Sequence, residues 1–227
     1  PTAASAASPT KEARPATPSA AIEGQETQRT TVHQIIIDAT INPATADFIH
    51  ETILTAANEG AAALIIQLDT PGGLLSSTRT IVKEIFAAPV PVVVYVAPSG
   101  AGAGSAGVFI TMSAHVAAMA PGTNIGAAHP VAGGGQEVKG VMGEKIENFT
   151  ASFSETIARQ RGRNAEWAIQ AVRKSVSITE KEALKLNVID IAAKDLDDLL
   201  KQSDGRKVDL DGRPQTLSLK DVKVIRH

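Results

Sequence analysis

Val92-Val93-Val94-Tyr95-Val96, followed after three residues by Gly100-Ala101-Gly102-Ala103-Gly104-Ser105-Ala106-Gly107, is the stretch on which the fold turns. The apolar run, dominated by β-branched side chains, suits a buried strand. The glycine-rich octapeptide reads as a turn, and Ala106, Val108, Phe109, Ile110 and Met112 beyond it read as a largely buried helix beginning at Ser105. Strand, turn and helix in that order are the repeating unit of an α/β protein. A serine at a helix start has two readings. It is a preferred N-cap for structural reasons alone. Its hydroxyl also stands beside unpaired N–H groups and the positive end of the helix dipole, where developing negative charge is stabilised. The spacing is not the strand-to-helix nucleophile elbow, because Ala103 stands two residues before the serine. Nor is it a dinucleotide-binding fingerprint, because the glycine spacing differs and no acidic residue follows about twenty positions on.

Outward from this centre the same unit recurs. Val32 to Ile37 suits a first strand ending at Asp38, and Asn42-Pro43 starts a helix whose apolar face runs to Gly60. Ala63 to Leu68 is a second strand closed by Asp69-Thr70-Pro71-Gly72-Gly73, and Ser76 to Ala87 is the next helix. Strands alternating with helices predict right-handed crossovers and a mostly parallel sheet, which is an α/β fold. Past the centre, Val116 to Ala120 reads as a strand, Pro121 to Gly126 as a tight loop, and Ala132 to Gln136 as a mobile loop. Helices are expected over Glu144 to Arg161, Asn164 to Val172, from Thr179 with a capping pattern, and over Leu196 to Leu200. Val188 to Ile191 reads as a strand, and residues 206–227 alternate like β-hairpin material. Residues 1–30, rich in Ala, Pro, Ser and Thr, are expected to be a disordered linker, which leaves 31–205 as the main domain.

Composition narrows the function. With 227 residues and 43% hydrophobic content, the chain can bury one good core. A formal net charge of −2, with scattered basic residues, gives no footprint for nucleic acid. The absence of cysteine excludes thiol chemistry and cysteine-ligated metals. No apolar run reaches the eighteen or so residues of a membrane span. The chain begins with Pro1 rather than Met, which is expected of a fragment or a processed form.

The sites of interest lie at the carboxyl ends of the strands, where open parallel sheets bind ligands. Gly72 or Gly73 and Ala106 offer N–H groups that would form a two-donor oxyanion hole beside Ser105. From chemistry alone, a triad of Ser105, His129 and Asp69 is an alternative, and His115, between apolar residues, reads as a core histidine.

Asp69-Thr70-Pro71-Gly72-Gly73, Ala103-Gly104-Ser105-Ala106-Gly107, the block from Met119 to Pro130, and Gly162-Arg163-Asn164-Ala165 together resemble the NfeD family of membrane-associated proteases, related to ClpP and signal peptide peptidase A. The resemblance covers residues 31 to 205 and implies the ClpP/crotonase-like spiral of ββα units. It implies a serine endopeptidase with a Ser–Lys dyad, no cofactor and no metal. Its nucleophile falls on Ser105 and its general base on Lys145, in Lys145-Ile146-Glu147-Asn148-Phe149, with Lys139 as a nearby competitor. The oxyanion donors fall on Gly72 or Gly73 and Ala106, and Gly126 and His129 are candidates to line the substrate. An ordinary lysine is almost wholly charged at neutral pH, so such a base must be desolvated; Val141, Met142, Ile146 and Phe149 are the apolar neighbours available. The family further implies substrates with hydrophobic segments of the stomatin-like class, assembly into homodimers or larger oligomers, and attachment to a membrane through regions outside this chain, with the domain on the extracytoplasmic side. A non-catalytic scaffold for stomatin-like partners and a crotonase-like acyl-CoA enzyme are the other two readings.

Overall fold

Apolar runs that would cost free energy in water become strands covered on both faces. The computed structural model describes residues 1–2, 30–131, 136 and 138–227. The expected linker and the Ala132 to Gln136 loop therefore lie wholly or mostly outside the described residues. In chain order the elements are β1 (Thr31–Asp38), α1 (Pro43–Asn58), β2 (Ala63–Asp69), α2 (Leu75–Phe86), β3 (Val92–Val96), β4 (Gly102–Ala103), α3 (Ala106–Ser113), β5 (Val116–Met119) and β6 (Asn124–Gly126). They continue with α4 (Gly140–Gln160), α5 (Ala165–Arg173), β7 (Ser177–Thr179), α6 (Glu180–Lys185), β8 (Ile191–Ala192), α7 (Leu196–Ser203), β9 (Lys207–Leu210), β10 (Arg213–Thr216) and β11 (Lys223–Arg226).

Six strands form a parallel sheet in the order β11-β1-β2-β3-β5-β8. Successive side chains of a strand point to opposite faces, and the packing follows. Leu64, Ile66 and Leu68 of β2 meet Ile49 and Ile53 of α1, Ile81 and Ile85 of α2 and Ile110 of α3. Ile65, with Val93 and Tyr95 of β3, meets Leu199 of α7, Val208 of β9, Leu217 and Leu219. Burial on both faces is why these strands read as continuous apolar runs rather than alternating ones. A third cluster, around Phe109, Trp167 and Val172, ties α3 to α4 and α5. Two helix starts are as the sequence predicts: Asn42 and Thr45 cap α1 reciprocally, and Thr179 and Glu182 do the same for α6.

Four expectations change. Pro121 to Gly126 is not only a loop: Asn124–Gly126 is β6, which lies parallel to β4 and antiparallel to β7 in a second, three-stranded sheet. Val188 and Ile189 are buried but precede the strand, which is only the two residues of β8. Hairpin pairing after residue 205 is confined to β9 and β10, whereas β11 joins the main sheet beside β1. The helix after the glycine-rich turn starts at Ala106, with Ser105 outside it.

The short second sheet matters because it braces the site. An isolated bridge from Thr70 to Ala103 links the end of β2 to β4, and the β1–α1 connection is bridged at Ile41 to Gly73. The carboxyl ends of β1, β2 and β3 thus converge on the glycine-rich turn.

Candidate active site

Ser105 sits where these segments meet, in a conformation that its sequence position does not announce. Its φ is +47° and its ψ −105°, and its side chain makes no capping hydrogen bond to α3. An L-residue held there carries strain of order 1–3 kcal/mol, which persists only where the surroundings enforce it. The surroundings are backbone hydrogen bonds: Ser105 N–H donates to Ala127 O at 2.8 Å, and Gly104 N–H to Thr70 O at 2.9 Å. The structural reading of the serine as an ordinary N-cap is therefore overturned. Ser105 is half-buried, and no hydrogen bond commits its hydroxyl among the described residues.

Gly72 is the residue against which Ser105 packs. Its φ is +127°, and a Cβ there would lie 2.6 Å from Ser105 Cβ and 3.2 Å from Ser105 Oγ. Glycine is required both for the conformation and for the approach. Its own N–H, however, is taken, because it donates to Thr70 Oγ1 at 3.1 Å. The two glycines thus separate in role. Gly73 N–H and Ala106 N–H donate to no acceptor among the described residues, and both residues line the cavity that Ser105 opens into. Thr70, 2% exposed, organises this loop by accepting from Gly72 N–H and donating to Gly72 O. In the sequence Thr70 stands out only as part of the Asp69 to Gly73 run. A hydroxyl residue two before a glycine at a strand end, able to form such a turn, was the available signal.

The cavity has a volume of about 610 Å³. Its buried floor includes Ala106, Phe109, Thr78, Thr150 and Ala128, and Leu74 and Val131, both more than half exposed, stand at its mouth. The two threonine hydroxyls are turned away from it: Thr78 Oγ1 donates to Leu74 O at 2.9 Å and Thr150 Oγ1 to Ile146 O at 2.7 Å. The walls are therefore apolar except at Ser105, the free N–H groups and His129. No carboxylate among the described residues lines the cavity.

The structure brings Ser105, Gly73, Ala106 and His129 to one cavity and Gly72 against it. It does not bring Asp69 to His129. Asp69 Oδ1 instead accepts from Gly102 N–H at 2.9 Å, and His129 Nδ1 lies 3.1 Å from Val172 O, so the triad alternative is not assembled. Gly126 is pressed against β7, where a Cβ would lie 2.3 Å from Val176 O, and it does not line the cavity. Lys145 lies on the exposed side of α4, outside the cavity, although its neighbour Ile146 and Thr150 one turn on both line it. Its apolar neighbours are themselves exposed, Val141 at 69%, Met142 at 62% and Phe149 at 48%. Lys139 lines a second, smaller cavity of about 220 Å³ with His129, Glu144 and Glu147. His115 is a buried core histidine whose Nδ1 accepts from Val92 N–H. No group of three or more His, Cys, Asp or Glu residues that could hold a metal ion occurs among the described residues.

Comparison with known proteins adds a family. Residues 31–227 match the NfeD1b N-terminal domain. The chain is 40% identical over 191 residues to the membrane-bound protease PH1510 of Pyrococcus horikoshii, a match spanning 83% of this chain and 43% of that protein. It is 26% identical to the membrane protein NfeD1b of Bacillus subtilis, over 73% of this chain and 36% of that protein. The chain thus spans less than half the length of either curated relative. Among solved structures it resembles the 1510-N membrane-bound stomatin-specific protease. A lysine-to-alanine mutant in complex with a substrate peptide matches with a TM-score of 0.83 at 37% identity, over 88% of this chain and 93% of that one. A serine-to-alanine mutant of the same protease matches at 0.82. ClpP1 from Listeria monocytogenes, at 17% identity, shares the fold with a TM-score of 0.59 over 72% of this chain and 92% of that one. The architecture is accordingly ClpP-like, as the sequence resemblance implies.

Proposed function

The chain belongs to the NfeD1b N-terminal-domain family, and from that premise we propose that it is the peptidase domain of a membrane-bound serine endopeptidase. One observation carries the reading: Ser105 is held at positive φ, its hydroxyl uncommitted, in an apolar cavity that also presents the free N–H groups of Gly73 and Ala106. Such preorganised donors act where charge develops in the transition state, and losing one costs about 10²–10³ in rate.

In this reading Ser105 Oγ attacks the scissile carbonyl and forms an acyl-enzyme. Gly73 and Ala106 N–H groups stabilise the oxyanion, and Lys145 accepts the serine proton and returns it to the leaving amine. Lys145 is exposed on α4 next to cavity-lining Ile146, and its role requires α4 to present the amine to the cavity with water excluded. Substrate or a second copy of the chain lying across exposed Val141, Met142 and Phe149 supplies that exclusion. The apolar walls favour hydrophobic peptide segments, and a stomatin-like protein is the proposed partner class, by analogy with the stomatin-specific 1510-N protease. No helix among the described residues is long and apolar enough to cross a membrane; attachment through other parts of the protein, with this domain on the extracytoplasmic side, is proposed from the family resemblance. The acyl-CoA reading is disfavoured because the described residues of the cavity wall include no carboxylate.

Cleavage of a panel of hydrophobic peptides, read by mass spectrometry, tests the proposal. Ser105→Ala and Lys145→Ala are both expected to reduce cutting to background with unchanged circular dichroism. Cleavage that survives Ser105→Ala sinks the mechanism. Partner binding without any cleavage would identify a scaffold instead.

A further inference from the structure

His129 is half-buried in the wall of the Ser105 cavity, and its orientation is built rather than incidental. The last turn of α5 has carbonyls with no partner further along the helix. Two of them hold consecutive residues of the cavity wall: Ala128 N–H donates to Ala171 O at 2.8 Å, and His129 Nδ1 lies 3.1 Å from Val172 O. A carbonyl can only accept, so Nδ1 carries the proton and the neutral ring has its lone pair on Nε2.

A tethered Nδ1–H, with an Nε2 that has no hydrogen-bond partner among the described residues, is the arrangement of a general base, with a backbone carbonyl as the orienting group. Direct removal of the Ser105 proton requires hydrogen-bond distance, and no hydrogen bond joins His129 to Ser105 among the described residues. Both nevertheless line one cavity, which is large enough for a water molecule between them. We propose that His129 is the base that activates the hydrolytic water in the second half of the reaction; this rests on Ser105 forming an acyl-enzyme. The water oxygen bonds to the acyl carbon as its proton passes to His129 Nε2. The tetrahedral intermediate then breaks its bond to Ser105 Oγ, which is protonated through a second cavity water that gives up one proton as it takes the one held on Nε2. Free serine and a carboxylic acid result, and Lys145 is left to serve acylation.

The test separates the two half-reactions with the probe N-acetyl-leucine p-nitrophenyl ester, whose good leaving group makes acylation visible as a burst of nitrophenol. His129→Asn retains an amide N–H able to reach Val172 O and removes the base. The expected result is an unchanged burst and a steady-state rate lower by about 10²-fold or more. The acetyl-leucyl adduct should accumulate in intact-protein mass spectra, and added hydroxylamine, which needs no base, should restore turnover. His129→Gln, which cannot take a proton either, should behave alike and stands in if His129→Asn does not fold. Wild-type turnover in these variants, or burst and steady state slowed equally, overturns the proposal. Ser105→Ala must abolish the burst and the adduct; a burst that survives it refutes the acyl-enzyme reading itself, whatever His129 does.

Discussion

A methyl group at position 72 would land 2.6 Å from Ser105 Cβ, on a backbone at φ +127°, so Gly72 has no tolerated substitute. Left-handed backbone costs an alanine about 1–2 kcal/mol and overpacking about 1–3. Gly72→Ala is therefore expected to lower stability by about 2–5 kcal/mol in urea unfolding and to abolish cleavage by displacing Ser105. Thr70→Val is a subtler probe of the same loop. It keeps a branched side chain of similar shape but removes the hydroxyl that accepts from Gly72 N–H. A buried donor left unpaired costs about 1–3 kcal/mol. Activity is expected to fall with stability, because the orientation of neighbouring Gly73 N–H depends on this turn. Cleavage and unfolding midpoints unchanged in Thr70→Val would show that Thr70 only fills space.

At the scale of elements, α3 is the unusual one, since all eight of its residues are buried. Its final carbonyls cannot reach water and are served by arginines from the α4–α5 turn. Arg163 Nη1 donates to Met112 O at 2.9 Å and to Ala114 O at 3.0 Å, and Arg161 Nε donates to Ser113 O at 2.7 Å. Arg163 also pairs with Asp190, whose other contact is Ala117 N–H of β5. One end of α3 thus meets the strained serine, and the other is clamped. Arg163→Met leaves Asp190 and two carbonyls without their partner, and a loss of about 3–5 kcal/mol is expected by denaturant titration; a loss under about 1 kcal/mol would show that solvent replaces the clamp. This arrangement also marks where sequence stops being legible. The long apolar strands and the capped starts at Asn42 and Thr179 were readable because their signals are local. The three-residue pairing of β6 with β7, and the joining of β11 to β1 across most of the chain, depend on tertiary register that no short window contains. Likewise Ser105 was legible by motif, but its positive φ, the division of roles between Gly72 and Gly73, and the Val172 tether of His129 arise from segments far apart in the chain.

For the molecule as a whole, buried imidazoles make stability depend on pH. His115 lies in the core with Nδ1 accepting from Val92 N–H, and the Arg161 guanidinium stands 3.3 Å from its Nε2. Burial first, and then the charges of Arg161 and Arg163, push its pKa down to about 3. In the unfolded chain the same ring titrates near 6.5. Between these values the unfolded chain holds a proton that the folded protein lacks, so acid favours unfolding throughout that window. The contribution is whole above about pH 6.5 and declines as pH falls toward 3, by on the order of 1 kcal/mol per pH unit. His33 acts in the same direction, lowered by burial and then by neighbouring His227, 2.9 Å away across the β1–β11 edge. Exposed His50 is raised by its hydrogen bond to Glu84 and so acts in the opposite direction. Urea unfolding at pH 7 and pH 5 should show a lower midpoint at pH 5. His115→Asn, which can still accept from Val92 N–H but cannot titrate, should lose part of that difference while His33 retains the rest. An equal pH difference in the variant would mean that His115 is not the group responsible, and acid sensitivity would then have to be sought at the His33–His227 edge.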